Sequence, residues 1–496
     1  MPTPYLRSLT KTKTMCTIGP ASSDEDTLRK MFEAGMDVCR INFSHGSPSW
    51  YRDIFKKVRN LSRTELGILI DLTGPKIRIG EVDGVYNLQK GKEFIITTEQ
   101  DIVGNDTRVS ITHRTLHEEV TKGHHIFISD GIVELLVKEV RDRDIICEVV
   151  SGGEISSRKG VNCPAVPLSL YFPTEKDLKD LDLVIDLKPD ILALSFIRRP
   201  EDIVPIRQRL DEAYTSCLLI SKIEHPDALQ NFDAILEASD GIMIARGDLG
   251  IEIPIEQVPA IQKELIKKCN KAGKPVITAT QMLESMTYHS RPTRAEASDV
   301  VNAILDGTDA VMLSSETAIG HDPIQVVKMI DTINRFNEPI IFDRTIEKYV
   351  SPKPSIAEIL GQAATIASRK LDIDAIIAIT RSGSTARLIA KYRPSKPVIA
   401  ATSYPTTARQ LSLTWGVIPL LIDVVNSTDG VIFAAINQAV EHGLLTLENS
   451  VLIIAGSLLG IPAKTNLMQV YQVKDVLAFA PLLHQQHSLD VSLSAD

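Results

Sequence analysis

Residues 67–80 read GILIDLTGPKIRIG. An apolar run of strand length ends on a carboxylate, Asp71, breaks at Gly74-Pro75 and then delivers two cations, Lys76 and Arg78. A short, continuous apolar run bounded by turn residues marks a strand buried on both faces, as in a parallel sheet covered by helices. The same unit recurs at TKTMCTIG (12–19), MDVCRINFS (36–44), DILALSFI (190–197), CLLISKIE (217–224), DGIMIARGD (240–248), KPVITATQ (274–281) and DAVMLSSE (309–316), with amphipathic stretches between. Eight such units predict an α/β protein built on a (β/α)8 barrel.

One gap breaks the rhythm. Between the third and fourth runs the chain inserts alternating segments such as EFIITTEQ (93–100), RVSITH (108–113) and IICEVV (145–150), punctuated by VDG, SDG and SGG. This predicts a small β lid hung from the third barrel strand. After residue 350 the pattern restarts with an amphipathic helix (355–371) and buried runs at 374–380, 396–402, 416–423 and 450–456. The expected organisation is therefore a barrel over 1–75 and 159–350, a lid over 76–158 and a C-terminal α/β domain over 351–496. Residues 351–354 serve as linker, and the polar tail HQQHSLDVSLSAD (484–496) is expected to fray.

Bulk numbers narrow the function. At 496 residues the chain exceeds a single core. Its formal charge of −9 gives no electrostatic footprint for nucleic acid or a membrane surface. No apolar run reaches spanning length, and the first residues lack a signal-peptide core. The six cysteines form no CxxC, which argues against a disulfide framework or a zinc site and fits a reducing cytoplasm.

Active sites of such barrels lie at the carboxyl ends of the strands. There the sequence places Arg40, Asn42 and Ser44 on alternate positions, then Asp71, Lys222 with Glu224, Asp248, Thr280 and Glu316. Two acids such as Glu224 and Asp248 suit Mg2+, which takes one or two carboxylates plus waters and substrate phosphates. Arg40, Arg78 and Lys222 supply the positive charge a phosphoryl group needs. Each residue also has a plainer reading as a loop-fixing ion pair, and Lys222 with Glu224 reads equally as a structural pair. Their accumulation on one rim favours a ligand, because so many polar groups are costly to desolvate without one.

The chain resembles the pyruvate kinases. TIGPAS (17–22), RINFSHG (40–46), DLTGPKIR (71–78), ISKIE (220–224), ARGDLGIEIP (245–254), KPVITATQMLESM (274–286), RPTRAEASDV (291–300) and MLSSETAIG (312–320) occur in that family's order, over about residues 11–480. The resemblance implies transfer of a phosphoryl group from phosphoenolpyruvate to ADP, then protonation of the enolate to pyruvate. It implies that Arg40 holds the phosphoryl group and Lys222 neutralises charge on it. Glu224 and Asp248 would ligate Mg2+ or Mn2+, amides near Gly247 and Asp248 with the Thr280 hydroxyl would hold the substrate carboxylate, and Arg78, His45 and Asn42 would face the nucleotide. Thr280, acting through water, is the expected proton donor. Asn42, Ser44, Asp71 and the Leu72 carbonyl would line a monovalent-cation site. Lys76 stands where many members carry glutamate, so K+ is expected not to be required, the tethered ammonium supplying the charge. The alternative is that Lys76 merely pairs with a lid carboxylate. Departures at Ser315, Cys163 and His225 remove no group with chemistry to do.

The C-terminal domain holds a hydroxyl-rich turn, AITRSGSTARLIAKYRP (378–394), between a buried strand and a helix. Such a turn is an anion site, or plain N-capping by Ser384. The resemblance tips it towards an allosteric phosphate pocket of Thr380, Arg381, Ser382, Gly383, Ser384 and Thr385, with Lys464 closing over it. It also implies a homotetramer. Two rival readings remain: another phosphoenolpyruvate-binding barrel such as an aldolase, which needs no nucleotide lid, and a silent phosphometabolite sensor, which needs no intact Lys222, Glu224, Asp248 and Thr280.

Overall fold

The computed structural model describes residues 10–61, 65–100, 102–341, 353–425, 427–456 and 465–478. Lys464, the first half of the linker and the polar tail lie outside the described residues.

All eight apolar runs are strands. Lys13–Thr17, Val38–Asn42, Gly67–Asp71, Ile191–Leu194, Leu218–Ile223, Gly241–Ala245, Val276–Ala279 and Ala310–Leu313 pair in parallel with their sequence neighbours, and the last closes on the first. Alternation divides each strand between two cores. Met15, Val38, Leu69, Ile191, Ile220, Met243, Ile277 and Ala310 fill the inside, while Cys16, Cys39, Ile68, Ile70, Leu192, Leu219, Ile242 and Val311 meet the helices. The same parity carries the inward set upward. Arg40 follows Val38 by two, Asp71 follows Leu69, and Lys222 and Glu224 follow Ile220, so period two alone aims these charges over the barrel's mouth.

The opposite end has its own regularity. Asp37, Asp190, Asp240 and Asp309 each immediately precede an even-numbered strand, and each takes a backbone N–H of the odd-numbered neighbour: Thr14, Ile68, Leu219 and Val276, at 2.8–2.9 Å. Three of them bind arginines within about the same range, Asp190 to Arg59 and Arg409, Asp240 to Arg207, and Asp309 to Arg393. Arg409 and Arg393 come from the C-terminal domain. That domain also inserts Leu413 into the barrel's interior cluster, so it closes the barrel floor.

The lid forms a six-stranded sheet over its own core, from Ile77 to Val166. Its end lies beyond the expected residue 158, because Val161–Asn162 pairs with the lid strand His125–Ile128 and Val166 packs in the lid core. Among the described residues the C-terminal domain has five strands, not the four expected. The extra one, Leu467–Gln472, is an antiparallel edge strand with mostly exposed side chains, and hence carries no apolar run. The six cysteines are all free, as their spacing predicts.

Candidate active site

The third strand ends at Asp71, and the chain turns away through Gly74 with φ of 66°. A side chain there would meet the Ser195 carbonyl at 2.8 Å, so both conformation and space require glycine. The turn leaves Asp71 buried between two cations. Arg40 donates from Nε to Asp71 Oδ2 at 2.9 Å and from Nη1 to Thr17 Oγ1 at 2.8 Å. Lys222 Nζ lies 3.3 Å from Asp71 Oδ1, 3.1 Å from Glu224 Oε1 and 2.7 Å from Ser195 Oγ. Glu224 accepts the Phe196 N–H at 2.6 Å. Asp71 and Glu224 are each about 1% exposed.

Burial opposes the charge on Lys222, yet Asp71 and Glu224 outweigh it and hold its pKa above the usual lysine value. For Asp71 burial is likewise overcome, by Lys222 and Arg40, and the carboxyl titrates below its ordinary range. Glu224 goes the other way: desolvation, aided by Asp248, pushes it up despite Lys222. Buried groups driven in opposite directions within one cluster make it a candidate functional site.

Across the mouth, Thr280 and Gln281 have φ of 70° and 54°, in the left-handed region that a β-branched threonine avoids. Arg246 fastens this turn, donating to the Thr280 carbonyl at 2.6 Å and pairing with Asp299. Thr280 Oγ1 accepts the Gly247 N–H at 2.8 Å, which joins it to the first turn of helix Arg246–Glu252. Gly247, Asp248 and Thr280 therefore form one wall, and Arg40, Lys222 and Glu224 the facing one.

His45 sits where desolvation and then Arg78, Arg40 and Lys76 lower its pKa, so these groups share one electropositive mouth. Arg78 anchors on the Arg158 carbonyl of the lid. Asn42 accepts the Ser44 N–H at 3.0 Å, and Ser44 reaches Thr73.

The residues expected to line a monovalent-cation site also make contacts within the protein. Asp71 is already taken by Arg40 and Lys222, and the Leu72 carbonyl accepts the Ser195 hydroxyl at 2.7 Å. Lys76 turns instead to Asp248, at 2.8 Å, which is a carboxylate of the barrel and not of the lid. Glu316 turns its carboxylate to the N–H groups of Leu283 and Ser314. The sequence reading missed Ser195, Thr17, Arg246 and Lys176. Lys176 brings its ammonium to the Phe43 carbonyl and Thr73 hydroxyl, 3.0 Å from each. A hydroxyl just past the fourth strand, and the lysine of PTEKD in the first turn of helix Glu175–Leu187, were the signals available.

Two buried or half-buried carboxylates facing one opening fit a hard divalent cation completed by water and substrate oxygens. Asp248 already attracts a stand-in cation, the Lys76 ammonium.

In the C-terminal domain, Gly383 takes φ of 81° at the head of helix Ser384–Ala390, where a side chain would strike Arg387 at 2.7 Å. Gly383 is itself the capping residue, so Ser384 does not cap the helix; its hydroxyl meets that of Ser382. Thr380 accepts the Gly383 N–H at 3.0 Å, and Thr385 meets Thr465. Thr380, Arg381, Ser382, Ser384 and Thr385 open on a cavity of ≈950 Å³ whose far wall is barrel: Arg207, Asp211, Thr215 and Asp240.

A barrel whose mouth gathers Arg40, Lys76, Arg78 and Lys222 beside Asp71, Glu224 and Asp248 has the kinds of charge that phosphoryl transfer uses. Comparison with known proteins gives the family. Residues 9–327 match the pyruvate kinase barrel domain and residues 358–471 the pyruvate kinase alpha/beta domain. A pyruvate kinase of Staphylococcus epidermidis is 44% identical over 480 residues, covering 94% of this chain and 81% of its own. One from Clostridium perfringens is 42% identical over 472 residues, covering 93% of this chain and 100% of its own. The chain belongs to the pyruvate kinase family.

Proposed function

We propose that the protein transfers the phosphoryl group of phosphoenolpyruvate to ADP, giving ATP and pyruvate in the last step of glycolysis. The observation that carries this reading is the buried relay Arg40–Asp71–Lys222–Glu224 facing the Gly247–Thr280 wall. Arg40 and Lys222 stabilise charge on the phosphoryl group and on the enolate oxygen, and Asp71 holds both cations in place. The Gly247 and Asp248 amides with the Thr280 hydroxyl seat the substrate carboxylate. Arg78, His45 and Asn42 face the nucleotide, and Thr280 passes a proton to the enolate through water. Glu224 and Asp248 would hold Mg2+ or Mn2+, which would supply positive charge to offset that of the substrate. The test is pyruvate formation from phosphoenolpyruvate and Mg2+ with and without ADP, in tetramethylammonium buffer and again with KCl. ADP-dependent turnover supports the reading; none in either buffer sinks it.

K+ is not required in this proposal, because Lys76 is a cation tethered at the rim. Equal rates in the two buffers, and a K+ requirement created by Lys76→Glu, are the expected results. A rate that appears only with KCl rejects this part alone. The hydroxyl-lined cavity binds a phosphorylated effector, through Thr380, Arg381, Ser382, Gly383, Ser384 and Thr385, with Lys464 as a further contact. Its shared wall with the barrel supports a regulatory role. The protein works as a homotetramer, a reading supported by the exposed apolar Ile356, Ile359 and Ile366 along one face of helix Ile356–Lys370. Sedimentation at micromolar concentration checks this. A cytoplasmic location fits the free cysteines. Among the described residues no helix is long and apolar enough to cross a membrane.

A further inference from the structure

The lid meets a short helix of the barrel, Arg246–Glu252, which carries Asp248. Lys76 Nζ lies 2.8 Å from Asp248 Oδ1, and Asn162 Nδ2 donates to Glu252 Oε1 at 2.8 Å. A side chain added at Gly131 would come within 3.9 Å of Ile251, so the lid tip lies near this helix. Lys76 follows Gly74-Pro75, the point at which the chain leaves the barrel for the lid. It thus ties the lid's root to the carboxylate, while Asn162 ties the lid's return strand to the same helix.

The charges explain why Lys76 goes there. Asp71 has Arg40 and Lys222, and Glu224 has Lys222 and a backbone N–H. Asp248 is the acid at the mouth that meets the lid's cation, and the pair is only partly shielded, with side chains 21% and 19% exposed. The pair is open enough to solvent for a second cation to reach the carboxylate, and a divalent ion that takes the ammonium's place keeps that largely buried carboxylate paired.

We propose that Lys76 is a tethered competitor for the divalent-cation site. In the metal-free protein its ammonium holds Asp248 and latches the lid to helix Arg246–Glu252. A divalent cation reaches Asp248 by displacing that ammonium, because two cations on one carboxylate repel each other. The coupling is reciprocal: the latch weakens metal binding, and the metal loosens the latch. The substrate-free enzyme therefore holds its metal weakly, and metal entry frees the root of the lid. This inference rests on Glu224 and Asp248 being the metal ligands.

The test is Mn2+ binding to the full, substrate-free protein, followed by electron paramagnetic resonance of the free ion. Lys76→Met is expected to tighten Mn2+ about tenfold, the scale of an ordinary coupling between sites, and Lys76→Gln to shift it the same way. Arg78→Met removes equal charge from the same lid segment without touching Asp248, and is expected to change binding by less than about twofold, as screened charges do. Hydrogen exchange at Ser129–Gly131 and Asn162 is expected to quicken when Mn2+ is added to the wild type. In Lys76→Met it is expected to be fast already and indifferent to metal. Mn2+ binding no tighter in Lys76→Met than in Arg78→Met overturns the proposal. Mn2+ binding unaffected by Asp248→Asn overturns the metal-site reading itself, and this proposal with it.

Discussion

At the floor of the barrel, Asp37, Asp190, Asp240 and Asp309 each accept a strand N–H, and the last three each bind an arginine. At the mouth, Asp71, Glu224 and Asp248 face Arg40, Lys222 and Lys76. The residue types are the same, but the surroundings differ. Floor carboxylates are met by the backbone of the barrel itself and by arginines of fixed fork geometry. Mouth carboxylates share lysines, and one is pushed up while its neighbour is pulled down. A charge fully met by its own fold holds structure together; a charge met by a mobile or shared partner is available to a ligand.

The sharpest way to break this contrast is to remove one cation from each end. Lys222→Met is expected to lower kcat about a thousandfold, the usual cost of losing charge stabilisation in phosphoryl transfer. Steady-state pyruvate formation measures it, and a rate within tenfold of wild type would make the mouth as structural as the floor. Arg393→Met is expected to do the opposite. Arg393 is buried, bonded to Asp309, Asn270 and the Gly307 carbonyl, and its loss strands a buried carboxylate at a cost of about 3–5 kcal/mol. Denaturant unfolding reads that loss, while turnover per folded molecule stays near wild type.

The smallest effect sharpens the boundary between the ends. His225, just past Glu224, accepts the Asp227 N–H at its helix start, and desolvation with Arg198 lowers its pKa to about 4. Between pH 6.5 and 4 the unfolded chain takes up this proton and the native one does not, so the native state loses stability as pH falls through that window. His225→Asn keeps a cap and has no proton to take. It is expected to flatten the acid limb of stability by about 1 kcal/mol once solvent screening is allowed for, read from melting temperatures at pH 7 and pH 5.

Much of this was legible in the chain. Continuous apolar runs marked all eight barrel strands, because a strand buried on both faces leaves no polar alternation. Arg40, Asp71, Lys222 and Glu224 were legible as a set, since strand parity fixes their direction. The edge strand Leu467–Gln472 was not: with most of its side chains exposed it carries no such run. The floor aspartates were equally visible as acids before strands, yet nothing local distinguishes an acid that caps a strand from one that binds a ligand. The lid's end was misread because Val161–Asn162 is only a two-residue strand.

By itself the sequence determined the barrel, the inserted lid, the C-terminal domain and the side of the barrel on which the chemistry sits. These follow from periodicity and turn chemistry, which act over a few residues. Only the tertiary structure decided which charge meets which. Lys76 and Asp248 are 172 positions apart, and no local pattern links them. Their pairing depends on Asp71 being engaged by Arg40 and Lys222, and on the folded lid carrying the ammonium to Asp248.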